Sequence, residues 1–334
     1  MKVYGSAFGN LNQIPELARA GEAAGYDALV SAELASDPFF PLLLAAEHTE
    51  RVDLMTAIAV AFARNPMTLA QIGHDLNSYS KGRFILGLGS QIKPHITRRF
   101  SMEWSKPAAR MRELVLAMRA IWSCWYDGQP LDFRGEFYNH TLMTPMFSPN
   151  DTEYGAPRVM VAAVGPLMTE AAAEVADGLI AHAFTTPKYM REVTLPAVER
   201  GLAKAGRSRE SFEINCPAFV VSGETDEAFA GSRQAVRQQV AFYGSTPAYR
   251  PVLELHGWDE LGPELTQLSK RGKWVEMGER LPDEVLETIA VVAQPGDVGR
   301  ELLSRFDGLV DSWTATFDPG GESVRNELLN TLRG

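Results

Sequence analysis

The residues able to do chemistry are few, and their positions tell more than their number. Glu33 closes an apolar run (ALVSAE) and is the single ionisable side chain best placed at a strand end, where a half-buried carboxylate could act as acid or base. His182, in GLIAHAF, lies on another apolar run, and His95 follows a third. Two strand ends close on small residues: Gly87-Leu88-Gly89-Ser90, running on to Gln91, and Ala162-Ala163-Val164-Gly165-Pro166. Small residues let backbone amides approach an anion, and a helix beginning there adds a partial positive charge, so these two strand ends are read as a phosphate subsite. The sequence has no nucleophile elbow, no HExxH, no Walker lysine motif and no carboxylate run for two metals. A pocket so poor in catalytic side chains suits an enzyme whose cofactor performs the hard step.

Charge sharpens the anion expectation. The chain of 334 residues carries a formal net charge of −10, which argues against a nucleic-acid binder. Between Lys93 and Arg112, however, six basic residues (Lys93, Arg98, Arg99, Lys106, Arg110, Arg112) face Glu103 alone, a local +5 on a remainder of −15. Such a segment would draw an anionic small molecule to an otherwise repelling surface. Cys124 and Cys216 have no partners at metal-ligand spacing and read as small buried hydrophobes in a reducing compartment. The longest apolar runs fall short of the roughly 18 residues of a membrane span. The N-terminus lacks an apolar leader core, and a cytoplasmic protein is expected. The sequons at Asn139 and Asn150 are then incidental.

The elements that must position these groups alternate regularly. Strand-like runs begin near Lys2, Ala28, Asp53 and Arg83, then at Arg158–Val164, Gly178–Phe184, Glu213–Val221 and Val310–Phe317, with helical patterns between them. Ser36-Asp37-Pro38, Asn65-Pro66 and Thr186-Pro187 mark helix starts; Gly25 and Gly82 mark stops. Eight strands with alternating helices predict one (β/α)8 barrel across residues 1–334, an α/β TIM barrel rather than a doubly wound sheet. Two segments lie outside the repeat: a small hairpin at about 130–150, around Arg134-Gly135, and an insertion at about 244–283. The insertion is expected to cover the mouth, so Tyr243 and Trp258 join Phe8 and His182 as substrate-binding candidates. Phe39, Phe62 and Trp104 are read as further apolar walls of that mouth.

Several segments resemble the bacterial luciferase-like flavin and deazaflavin oxidoreductases, in particular the actinobacterial members that use coenzyme F420. They are SAELASDPFFPLLLAAEHTERVDLMTAIAVAFARNPMTLAQ, KGRFILGLGSQIKPH, PAARMRELVLAMRAIW, DFRGEFYNHTLMTP and VMVAAVGPLMTEAAAEVADGLI. The resemblance runs nearly end to end. It implies a TIM barrel binding its ring at the C-terminal mouth, a non-prolyl cis peptide at Ala57-Ile58 behind the ring, and phosphate contacts at Gly89, Ser90 and Gln91 and at Ala163, Val164 and Gly165, the two strand ends chosen above. Family members commonly carry an acidic residue followed by His at the end of the second strand. Here the sequence reads Ala32-Glu33-Leu34, the imidazole is missing, and Glu33 takes the role of proton donor or acceptor. The implied function is hydride transfer between F420 and an organic small-molecule substrate. An FMN-dependent monooxygenase using O2 and a non-catalytic flavin- or deazaflavin-binding barrel stand as alternatives. Partners expected from the resemblance are a second copy in a homodimer and an enzyme supplying the reduced cofactor.

Overall fold

A computed structural model describes residues 1–315 and 322–334. Eight parallel strands form the barrel: β1 (Lys2–Ser6), β2 (Ala28–Ser31), β3 (Asp53–Thr56), β4 (Phe84–Gly89), β5 (Arg158–Ala162), β6 (Gly178–Ile180), β7 (Glu213–Pro217) and β8 (Ser312–Thr314). Their order is β3-β2-β1-β8-β7-β6-β5-β4, and pairing of β3 with β4 closes the ring. All eight expected strands are present. The last two residues of the expected eighth, Thr316 and Phe317, lie outside the described residues.

Sequence chemistry fixes the strand starts. Asp27 accepts a hydrogen bond from Val3 N–H (2.8 Å) and returns one from its own N–H to Val3 O (2.8 Å). Asp177 makes the same reciprocal pair with Val159, at 2.8 and 2.7 Å, and Asp311 with Ile214, at 2.7 and 2.9 Å. Each aspartate directly precedes its strand and clasps the start of the neighbouring one. The seams β1/β2, β5/β6 and β7/β8 are thereby held at the floor of the barrel. Above them the interior is filled by Tyr4, Ala28, Val30, Met55, Ile85, Met160 and Ile180, so the barrel is a packed core open only at its mouth.

Helix ends follow the expected chemistry with one shift. Asn65 and Thr186 accept from Thr68 N (3.0 Å) and Tyr189 N (3.1 Å), and Gly25 adopts the left-handed conformation (φ 89°) that a side chain would resist. The second helix starts at Phe39, one residue beyond Pro38, with Asp37 accepting from Phe39 N (2.9 Å). The hairpin forms at Phe133–Arg134 and Asn139–His140. Glu113 pins it by accepting from the backbone N–H groups of Glu136, Phe137 and Tyr138 at 2.7–2.9 Å.

The insertion is larger than its composition suggested. The helix Asp226–Gly244 buries Val236, Val240 and Ala241 against Phe184, Leu265 and Met277 in a core separate from the barrel's own. The barrel's seventh helix is instead Val298–Phe306, whose Val298, Leu302 and Phe306 pack into the main core. A two-stranded parallel pair, Val220–Val221 with Val291–Val292, forms the neck between the two. No helix among the described residues is long and apolar enough to cross a membrane.

Candidate active site

The mouth takes shape at the top of β3. The peptide bond Ala57-Ile58 is cis, at the position implied by the resemblance. A short extension, Ala59–Val60, then pairs with Leu88 and Gly89 of β4. The glycines of β4 are what let this segment approach. A Cβ on Gly87 would lie 1.7 Å from Thr56 O, and one on Gly89 would meet the Ile58 side chain at 2.7 Å. Thr56 Oγ1 completes the contact by donating to Gly87 O (2.8 Å) and accepting from Gly87 N (2.9 Å).

Glu33 sits beside this ledge, buried, and its groups are engaged. Its N–H donates to Ile58 O (3.1 Å). Its Oε2 accepts from Val60 N (2.7 Å) and from Arg64 (2.6 Å). Arg64 also donates to Asp37 (3.0 Å) and to Val60 O (3.2 Å), and lies over the Phe39 ring. Glu33 thus grips both sides of Ala59. Arg64 was not legible as a partner, although the Ala-Arg-Asn-Pro segment carrying it was conspicuous.

Across the barrel, β5 ends at Ala162 and leads through Ala163, Val164 and Gly165 into the helix Pro166–Val175. This helix N-terminus has no side-chain cap, and a Cβ built on Gly165 would meet nothing within 4 Å. Helix-starting amides without an internal acceptor therefore border open space there. At the end of β4, Gln91 takes a left-handed conformation (φ 57°) and Ser90 Oγ donates to Gln91 O (3.1 Å).

The basic segment is partly neutralised. Lys106 pairs with Glu136 and Arg112 with Glu174, each at 2.6 Å, while Arg110 donates to Tyr138 and to Glu103 O. The cluster next to the mouth reduces to Lys93, Arg98 and Arg99, of which Arg99 holds Leu34 O. The local positive field is accordingly weaker than the sequence count suggested.

His182 faces two tyrosines from the region of the insertion: Tyr243 at 4.5 Å and Tyr249 at 4.6 Å between ring centroids. Burial pushes the imidazole pKa down to about 4, so the ring is neutral at pH 7. Its Nδ1 accepts from Phe184 N–H (2.9 Å), and a backbone N–H can only donate. The ring proton must therefore be on Nε2, making His182 a fixed hydrogen-bond donor. Burial raises the pKa of both tyrosines, which stay protonated. Nothing in the sequence GSTPAY marks which way the Tyr249 ring turns, so this contact belongs to the fold alone.

The remaining aromatic expectations divide. Phe8 is half exposed after β1. Trp258 stacks on His256 (4.8 Å), whose Nε2 is bonded to Thr186 (2.9 Å), so it belongs to the wall of the insertion and not to the His182 group. Phe39 and Phe62 are core residues, with Trp104 packed edge-on against Phe62. No His, Cys, Asp or Glu cluster suited to a metal ion occurs among the described residues.

A closed parallel barrel with a small-residue ledge at its mouth, an open helix terminus and few acids is the framework of a TIM-barrel enzyme. A profile of the luciferase-like monooxygenase family matches residues 2–312, and the chain belongs to that family. It is 51% identical over 333 residues to a Mycobacterium tuberculosis protein of unassigned activity, covering all of this chain and 98% of that one. It is 29% identical to a putative coenzyme F420-dependent oxidoreductase of the same organism, covering 86% of this chain and 85% of the relative. The coenzyme F420-dependent tetrahydromethanopterin reductase of Methanopyrus kandleri shares the fold, with a TM-score of 0.81 at 19% identity over 99% of this chain and 98% of that one.

Proposed function

We propose that the protein transfers a hydride between coenzyme F420 and an organic substrate. The observation that carries this reading is the uncapped, unobstructed helix N-terminus at Gly165, on the same barrel mouth as the Ala57-Ile58 ledge. A phosphate-bearing planar cofactor fits such a pair of features. Ala163, Val164 and Gly165, with Gly89, Ser90 and Gln91, would hold its phosphate side, and Ala57 and Ile58 would back its ring. When bound, the deazaflavin supplies a two-electron hydride carrier at C5. The 29% identical relative with an F420-dependent name supports this choice.

The chain's own groups bind and orient. Tyr243 and Tyr249 keep His182 in place and exclude water from it, and His182 Nε2–H donates to an oxygen of the substrate. This supplies an imidazole from the segment after β6 where the family's usual one after β2 is absent. Glu33, through Val60 and Ile58, keeps the ledge in position. Phe8 lines the open side.

A second reading is an FMN-dependent monooxygenase acting with a separate flavin reductase, favoured by the family's own description. Titration of the purified protein with F420 and with FMN, followed by fluorescence, separates the two. Saturable F420 binding is expected. Tight FMN binding with none of F420 overturns the first reading in favour of the second.

A further inference from the structure

A line of side chains runs up the barrel interior between β7 and β8. Lys2 Nζ lies 3.1 Å from Glu213 Oε2 at the floor. Ser312 Oγ is 2.7 Å from Glu213 Oε1, Asn215 Nδ2 is 3.0 Å from Ser312 Oγ, and Thr314 Oγ1 is 2.9 Å from Asn215 Oδ1. These residues point inward, since Thr314 is in register with the interior Tyr4 and Asn215 with Ser312.

Proton counting gives this line a direction. Burial alone would raise the pKa of Glu213, but hydrogen bonds from Tyr4 and Ser312 and the charge of Lys2 outweigh it and lower it. The carboxylate is therefore ionised and only accepts. Ser312 spends its one hydrogen on Glu213 and offers Asn215 a lone pair. Asn215 must then present its NH2 to Ser312, which turns Oδ1 toward Thr314. The single hydrogen of Thr314 goes to that oxygen. Thr314 is left with lone pairs and no proton, at the last residue of β8, buried and with no other partner among the described residues.

We infer that Thr314 Oγ1 is an acceptor-only group of the cofactor site, set by Glu213 through Ser312 and Asn215, that receives the imide N–H of the bound deazaflavin or flavin ring. The inference rests on the cofactor reading above. It adds a residue on β8 to a site otherwise drawn from β3, β4 and β5, and it makes a floor carboxylate a remote positioning residue. His182 cannot serve in this way, because it donates, and the Glu33 carboxylate is bound to Arg64 and Val60.

The test measures dissociation constants of F420 and FMN by fluorescence for wild type, Thr314→Val, Thr314→Ser and Glu213→Gln. The isosteric Thr314→Val, which removes the oxygen, is expected to weaken ring binding about 10-fold, and Thr314→Ser to stay within about threefold of wild type. Glu213→Gln, which can donate to Ser312 and so lets the line reverse, is expected to weaken it several-fold without touching the mouth. Should the valine variant not fold, Glu213→Gln carries the same reading. Wild-type affinity in Thr314→Val, or in Glu213→Gln if only that variant folds, overturns the acceptor role alone. A wild type that binds neither ring overturns the cofactor reading and the acceptor role with it.

Discussion

Phe184 N–H donates to His182 Nδ1 at 2.9 Å, two residues along the same chain. This one bond decides which ring nitrogen carries the proton, and burial keeps that proton the only one. His182 in the folded state titrates near 4, below the ordinary value of about 6.5. Between those values the unfolded chain binds more protons than the folded one. Stability is therefore fully present above about pH 6.5 and falls as pH drops toward 4, by about 3 kcal/mol from this group. Urea unfolding at pH 7, 5.5 and 4.5 checks it: His182→Asn keeps an acceptor for Phe184 N–H and should lose that part of the slope. An equal slope in both proteins would remove His182 from the account.

Glu33 and Arg64 form a buried pair whose partners are both backbone and side chain. Glu33→Ala should cost about 3 kcal/mol, since it strips Arg64 of its most buried partner and leaves Val60 N–H without an acceptor. Glu33→Gln keeps an oxygen for Val60 and should cost about half as much. Denaturant midpoints give both values. If Glu33 serves chiefly as a proton donor or acceptor, turnover falls steeply in Glu33→Gln while cofactor affinity and stability scarcely move.

Three glycines at the mouth should answer very differently to alanine. Gly87→Ala meets a carbonyl oxygen at 1.7 Å, which no side-chain rotation can relieve, and should unfold the protein or cost more than about 3 kcal/mol. Gly89→Ala meets only the Ile58 side chain and should cost about 1–3 kcal/mol. Gly165→Ala meets nothing and should stay within about 1 kcal/mol of wild type, yet weaken binding of a phosphate-bearing cofactor. Thermal melting and cofactor titration on the three variants decide it; unchanged cofactor binding in Gly165→Ala would argue against a phosphate there.

Burial raises the Cys216 thiol pKa to about 12. At pH 8 in the native state Cys216 should resist iodoacetamide while the half-buried Cys124 is alkylated, as mass spectrometry of the peptides will show. Rapid labelling of Cys216 without denaturant would mean that β7 opens.

The strands and the cis position were legible because apolar runs and a near end-to-end resemblance specify them. The insertion was harder to bound. Amphipathic spacing in 226–244 reveals a helix but not which core its apolar face meets, and it turned out to meet Phe184 and Leu265 instead of the barrel. The glycines of β4 were found for an anion, whereas the fold gives each a packing reason in Thr56 O and Ile58. Arg64 lies 31 residues from Glu33, and the links of the line from Glu213 to Thr314 join residues 97 to 99 positions apart. Such pairings belong to the closed ring and leave no periodic trace in the sequence.

The aspartate clasps at Asp27, Asp177 and Asp311 give the molecule the build of a riveted cup. Each rivet joins a carboxylate and its own N–H to the N–H and C=O of one residue on the neighbouring strand, with Arg333, Arg119 and Arg209 paired to the three carboxylates, so none depends on what the rim carries. The rim, including all of 226–289 above its two-strand neck, is then free to be exchanged for another shape while the base keeps its diameter.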